Sequence, residues 1–238
     1  MPPALRSVAT LVTGIVLLAL LTGCGMIDTP GRAATPTVTP TPTPVEVEQT
    51  QFTRDGTFQS HISIDGVDFV YTLYPTKATP RTNEWYPRGD KFFTLTFTAY
   101  DLDRDLRSRF SSKRKVYLDR ISVTSSTDVD EAEGTAEQPY TLTAEARRVT
   151  FDPEPQTKRG MGMLITSPKG SFELRNQKIG EMSLDTRLVT LTISSTVYIQ
   201  RSAGSSRYDR QRIEQEVPIT IFASEQETQA VEIPVNAN

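Results

Sequence analysis

Apolar and polar residues alternate with a period of two along most of the chain after residue 50. The clearest segment is 189–199, in which every second residue from Val189 to Ile199, except Ser195, is aliphatic. Successive side chains of a β-strand point to opposite faces of its sheet, so this pattern predicts a strand with one buried face. The same alternation predicts further strands at 62–64, 67–73, 93–99, 116–118, 121–123, 142–146, 161–165 and 172–174.

The first two predicted strands are separated only by Asp65 and Gly66. An Asp-Gly pair between alternating apolar residues favours a tight β-hairpin, because both positions of the turn need a positive φ. We therefore expect segments 62–64 and 67–73 to pair as antiparallel neighbours.

A second hairpin is predicted near the end of the chain. Segment 189–199 is expected to pair with 213–222 across the polar loop 201–212. Pro218 has no amide hydrogen to donate to a ladder, so its strand is expected at a sheet edge or at a bulge. A short terminal strand is predicted at 231–235.

Helical spacing occurs once. Leu102, Leu106 and Phe110 lie four residues apart, and Asp101 precedes them in a position to cap a helix. This predicts one short helix between two strands. About ten short strands with turn signals between them indicate an all-β fold, an antiparallel β-sandwich that is loosely immunoglobulin-like.

The domain plan has three parts. Residues 24–50 are rich in alternating Pro and Thr, a composition that predicts a disordered tether without a packed core. Residues 51–238 are long enough for one sandwich domain, and a division into two modules near 152–158 is the alternative. Cys24 is the only cysteine, so no disulfide within the chain supports the fold.

Residues 1–23 have the layout of an export signal. Arg6 precedes an apolar run at 8–21, which is shorter than the roughly 20 residues that a membrane span needs. The run ends in Leu21-Thr22-Gly23-Cys24, and this motif resembles the lipobox of bacterial lipoproteins. The resemblance covers about the first 24 residues. It implies cleavage before Cys24 and attachment of a diacylglycerol to its thiol.

This resemblance implies a location and one partner. A chain lipidated on Cys24 is expected on the cell membrane or the outer membrane, facing away from the cytoplasm, with the bilayer as its partner. Gly25 takes the place of the aspartate that often retains such proteins at the inner membrane, which favours the outer membrane where one exists.

Several chemistries have no support in the sequence. Lipidation would consume the sole thiol, and the sole histidine, His61, is expected to point to solvent from a strand. We therefore predict no catalytic residue, no metal site and no cofactor. The net charge of −3 argues against nucleic-acid binding. A hydrolase built on paired carboxylates stays open, since spacing in sequence says nothing about spacing in space.

Two segments are candidate binding surfaces. The proline-rich loop 75–90 holds Arg81, Trp85, Tyr86 and Arg88, and one interpretation is that Trp85 and Tyr86, flanked by the arginines, form an aromatic platform for a sugar or a protein. The alternative is that Trp85 folds back and closes one end of the sandwich.

The second candidate is the basic loop that holds Arg201, Arg207, Tyr208 and Arg210, followed by Arg212. It is expected to face anionic lipid headgroups or wall polymers, and a solvated loop without a ligand is the alternative. Together these features predict a non-catalytic module that binds a protein or polymer of the envelope or supports its assembly. A cell-envelope hydrolase or a carbohydrate-binding accessory protein is the alternative.

Overall fold

The computed structural model describes residues 49–77, 83–129 and 135–223. The chain divides into two units, Met1–Pro44 and Val45–Asn238, and every described residue belongs to the second unit. Cys24, the tether, Arg81 and the strand predicted at 231–235 lie outside the described residues.

The described part is an antiparallel β-sandwich, as the alternation predicts. In chain order its elements are α1 (Gln51–Asp55), β1 (Phe58–Ile64), β2 (Val67–Pro75), β3 (Lys91–Asp101), a 3₁₀ helix (Phe110–Ser112), β4 (Val116–Val129), β5 (Thr141–Glu145), α2 (Ala146–Val149), β6 (Thr157–Lys158), β7 (Gly162–Leu164), β8 (Phe172–Ile179), β9 (Thr186–Gln200) and β10 (Tyr208–Thr220). No helix in this part of the chain has the length and apolar character that crossing a membrane requires.

The smaller sheet has four strands in the order β1-β2-β3-β8. The hairpin predicted at Asp65-Gly66 is confirmed: β1 and β2 pair up to Ile64 opposite Val67. The two turn residues have φ values of 50° and 74°, as this turn requires.

The larger sheet has the order β10-β9-β4-β7-β6, and β5 also pairs with β4. The second predicted hairpin is confirmed by the pairing of β9 with β10, whose loop is shorter than expected and spans 201–207. Pro218 lies in β10, an edge strand, where its missing amide hydrogen costs no ladder bond.

One hydrophobic core lies between the two sheets. Buried side chains from both sheets form a single cluster, and the Tyr71 and Phe97 rings stack at 4.1 Å within it. Strands on either side of residues 152–158 pair within the same sheets, β3 with β8 and β4 with β9. The described residues thus form one sandwich rather than two modules divided there.

The helix predicted from Leu102, Leu106 and Phe110 is wrong. Turns and bends fill 102–109, and only the 3₁₀ helix at Phe110–Ser112 follows. Leu102 and Leu106 are 58% and 68% exposed, so their spacing serves no packing contact. Asp101, the expected cap, is instead bonded to Arg114. The two short α-helices, α1 and α2, carried no recognisable spacing and were not predicted.

Strand β4 was predicted as two segments, 116–118 and 121–123, and it is one continuous strand. Its register against β9 shifts between Leu118 and Arg120, so Asp119 is an extra residue in a β-bulge. A bulge changes which face the following residues occupy, and this explains why the buried positions move from even to odd numbers.

Candidate functional site: the outer face of the large sheet

Trp85 is a core residue. Its side chain is 1% exposed and meets Phe52 edge to face at 4.9 Å between ring centroids. Its carbonyl accepts a hydrogen bond from the amide of Phe222 at 2.8 Å, beside a bridge to Ile221. The exposed platform predicted around Trp85 is therefore wrong, and the alternative, closure of one end of the sandwich, describes it.

The neighbours of Trp85 do not form a joint surface with it. Tyr86 is half-buried, its hydroxyl donates to Glu84 at 3.1 Å, and its ring lies 6.1 Å from that of Phe222. Arg88 is exposed and lines an open depression of about 450 Å³ together with Glu137 and other residues. Of the predicted residues that the structure describes in this loop, Arg88 is the exposed one.

A buried lysine holds this loop in place. Lys91 is fully buried, and its Nζ donates to the carbonyls of Tyr86, Pro87 and Gly89 at 2.9, 2.8 and 2.6 Å. Burial lowers the pKa of Lys91 to about 8. The loop is thus ordered by one cation at its centre, which the sequence did not reveal.

The basic loop predicted near the end of the chain separates into different roles. Arg201 pairs with Asp209 at 2.7 Å, and Arg207 is exposed in the hairpin loop. The Tyr208 ring packs edge to face on Tyr117 at 5.8 Å. Arg210 and Arg212, from the predicted set, line a groove.

That groove lies on the outer face of the large sheet and has a volume of about 770 Å³; we call it the arginine groove. Its lining includes three arginines from β4 and β10 and three hydroxyl side chains from β4 and β9: Arg120, Arg210, Arg212, Ser122, Ser194 and Thr196. No single strand supplies all of these side chains. The pairing register of β4, β9 and β10 brings them together on one face of the sheet.

The register sets the spacing of the arginines. Thr196 in β9 is opposite both Arg212 in β10 and Arg120 in β4, so these three residues form one row across the sheet. Neighbouring strands lie about 4.8 Å apart, which separates the two arginine backbones by about 10 Å. Arg210 lies two residues along β10 on the same face.

Two of the three guanidinium groups are unneutralised. Among the described residues, Arg120 and Arg210 have no ion pair and no hydrogen-bond partner. Arg212 donates to Ser194 Oγ at 2.9 Å and to Glu214 at 2.7 Å. The one carboxylate in the lining is Asp119, at the bulge. The arginine groove is therefore positively charged.

A second, smaller groove adjoins the first and has a volume of about 340 Å³. Asp119 lines both grooves, and Arg147, Lys158 and Arg159 line the second. Gly162 also lines it, at φ 91°, and a Cβ there would lie 2.0 Å from the carbonyl oxygen of Leu118. Only glycine lets β7 approach the bulged part of β4 this closely.

Glu145 in the second groove is held as a carboxylate. Hydrogen bonds from Arg147 and then from Arg148, both to Oε2, keep the pKa of Glu145 below its usual value. Such a group is a poor proton donor near neutral pH.

Three tyrosines border the arginine groove. Arg210 is opposite Tyr198 in β9, and Tyr198 is opposite Tyr117 in β4. Tyr208 joins them, with Lys158 Nζ 4.0 Å from its ring centroid. A weak sequence signal for this cluster is that Tyr117 and Tyr198 occupy outward positions in strands whose other outward residues are mostly small or polar.

The single histidine lies apart from the two grooves in the part of the chain that the structure describes. Within the ranges described above, no group of three or more His, Cys, Asp or Glu side chains is arranged to hold a metal ion. His61 is exposed on β1, as expected, and its Nδ1 lies 2.8 Å from Asp68 Oδ2 on the smaller sheet.

No protein-family model matches this chain. No curated protein matches it either. Function must therefore be inferred from the chemistry of the grooves and of the N-terminal motif.

Proposed function

We propose that this chain is a membrane-anchored extracytoplasmic lipoprotein whose β-sandwich is a non-catalytic binding module. Its anchor is a lipid on Cys24, and its contact surface is the outer face of the large sheet. The N-terminal part of the proposal rests on Leu21-Thr22-Gly23-Cys24 after a short apolar run.

The observation that carries the binding role is the pair of unneutralised arginines in one groove. Arg120 and Arg210 have no anionic partner among the described residues, although the whole chain has a net charge of −3. Like charges gathered in a concave surface repel one another and attract anions from solution. A groove with two arginines outside any ion pair gains from an anionic partner.

The carboxylates near the grooves argue against a hydrolase. A glycosidase pair needs one acid with a raised pKa to protonate the leaving group. Glu145 has a lowered pKa because two arginines bind it. Asp119 is the one acid among the described residues that line the larger groove, and Glu145 joins it only in the smaller groove.

Site-specific crosslinking in intact cells tests the surface. Thr143 is exposed beside the groove, its Oγ1 2.8 Å from Ser122 Oγ, and a photoreactive residue there should capture an envelope component. Gln59, exposed on β1 of the smaller sheet, is the matched control and should capture little. Equal yields at both positions would argue that the large sheet has no special role.

The anchor is tested separately. Cys24→Ala should leave the signal uncleaved or release the protein from the membrane fraction. Unchanged membrane partition together with an unchanged mature mass would contradict the lipid anchor.

A further inference from the structure

The arginine groove lacks the features of a surface that binds proteins or inserts into lipid. Among the described residues, the large apolar side chains that are exposed are Leu102, Leu106, Phe151 and Leu184, and none of them lines either groove. Protein interfaces concentrate their binding energy in buried aromatic and apolar anchors, and membrane insertion also needs apolar surface. The groove instead offers guanidinium groups and hydroxyls.

We infer that the arginine groove recognises an anionic polysaccharide, with Arg120 and Arg210 holding its phosphate or carboxylate groups. This inference rests on the proposed function and names the class of ligand for the same surface. It concerns polymers of sugar units that carry repeated negative charges.

The arginines bind the negatively charged groups of the polymer. A guanidinium binds a phosphate or a carboxylate through two parallel N–H bonds, and such charge-assisted bonds are about twice as strong as neutral ones. Arg120 and Arg212 lie about 10 Å apart on two strands, with Arg210 further along. The two arginines without an ion pair, Arg120 and Arg210, lie at separate positions and match a chain of anions better than a single small one.

The hydroxyl side chains and the tyrosine ring contact the sugar units of the polymer. Ser122, Ser194 and Thr196 line the groove between the arginines and are suited to exchange hydrogen bonds with sugar hydroxyls. Tyr198, opposite Arg210, presents a partly exposed aromatic ring at the border. A polymer that carries both hydroxyls and anions can contact the arginines, the hydroxyl side chains and the tyrosine ring at once.

The second groove lengthens the surface along which the polymer binds. Arg159 is exposed there and, within the described residues, has no partner for its charge. Asp119 lies between the two grooves and repels an anionic chain that crosses from one to the other. The geometry thus gives opposite effects for two substitutions: loss of an arginine weakens binding, and loss of the Asp119 charge strengthens it.

The test uses the full lipidated chain in nanodiscs of zwitterionic phospholipid. Biolayer interferometry measures binding of phosphomannan and polygalacturonate, with neutral mannan and polyaspartate as comparison polymers. Phosphomannan or polygalacturonate should bind, more weakly at higher salt, and the stronger of the two identifies phosphate or carboxylate as the preferred anion. Binding of neutral mannan or polyaspartate at the same strength would overturn the inference.

The variants locate the site. Arg120→Ser combined with Arg210→Ser should weaken binding at least about 10-fold, as expected for loss of charge-assisted hydrogen bonds. Arg88→Ser removes an exposed arginine elsewhere on the surface and should change affinity less than about 2-fold on the same scale. Asp119→Asn should tighten binding. Equal losses in the Arg88 and Arg120/Arg210 variants, at unchanged thermal unfolding, would overturn the assignment to this groove.

The two proposals fail in different ways. A protein captured specifically at Thr143, with no polymer bound in nanodiscs, would overturn the polysaccharide and leave the binding surface standing. Absence of any specific capture at Thr143, together with polymer binding that the arginine variants do not change, would contradict both the binding surface and its polysaccharide ligand.

Discussion

The carboxylate of Asp101 accepts three hydrogen bonds from Arg114. Arg114 Nε and Nη2 donate to Oδ1 at 2.9 and 2.7 Å, and the Arg114 amide donates to Oδ2 at 2.8 Å. Burial alone would raise the pKa of Asp101, but the bonds and charge of Arg114 outweigh it and hold that pKa below its usual value. Arg114 also donates to the carbonyls of Asp65 and Gly66, so this pair fastens the first hairpin to β3.

Arg114→Met should destabilise the sandwich by about 3–5 kcal/mol, because it leaves a buried carboxylate without its partner. Chemical denaturation gives the free energy of unfolding. Asp103→Asn is the control: its carboxylate also meets Arg114, at 2.9 Å, but is 69% exposed. That change should cost less than about 1 kcal/mol. Similar losses in the two variants would contradict the central role of Asp101.

The first hairpin was predictable because its signals are local. Asp65 and Gly66 satisfy their own backbone geometry, and the flanking apolar residues alternate without interruption. The helix expected at 102–110 failed for the opposite reason. Asp101 does not cap a helix because it bonds to Arg114, thirteen residues away. Leu102 and Leu106 are exposed, so no packing contact stabilises a helix with this spacing.

The candidate site depends on relationships that a single sequence does not display. Arg120, Thr196 and Arg212 share one row only because β4, β9 and β10 pair in a particular register. The bulge at Asp119 shifts that register by one residue and brings Arg120 to the outer face. Arg210 was identified from the sequence as part of a basic loop, whereas Arg120 lay between the two predicted strand segments 116–118 and 121–123 and was not singled out.

Lys91 gives a pH dependence. Its pKa is about 8 in the folded chain against 10.5 ordinarily, so the unfolded chain binds more protons between these values. The free energy of unfolding must then rise with pH over that window, as the cost of burying the charge is relieved. The stability advantage of the wild type over Lys91→Met should widen from pH 8 to 10.5. Denaturation of both proteins across this range measures it, and a constant or narrowing difference would contradict the lowered pKa.

Two tyrosines allow a matched comparison of buried hydroxyls. The Tyr71 hydroxyl lies near Ser195 Oγ, neither atom forms a hydrogen bond of ordinary geometry among the described residues, and burial raises the pKa of Tyr71. Tyr71→Phe should therefore change stability by less than about 0.5 kcal/mol or increase it. The Tyr140 hydroxyl donates to Gln177 Oε1 at 2.7 Å, so Tyr140→Phe should cost about 1 kcal/mol. Thermal and chemical unfolding rank the two variants, and the reverse order would contradict the bonding described.

The sequence allowed two roles for Trp85, an exposed binding platform or closure of one end of the sandwich. Trp85 fills the end of the core against Phe52, so Trp85→Ala should cost about 3–5 kcal/mol through loss of buried surface and the cavity left behind. Arg88→Ala, in the same loop but exposed, should stay within about 0.5 kcal/mol of the wild type. Denaturation midpoints of the two variants measure the difference. A Trp85→Ala protein as stable as the wild type would place the ring outside the core and restore the platform hypothesis.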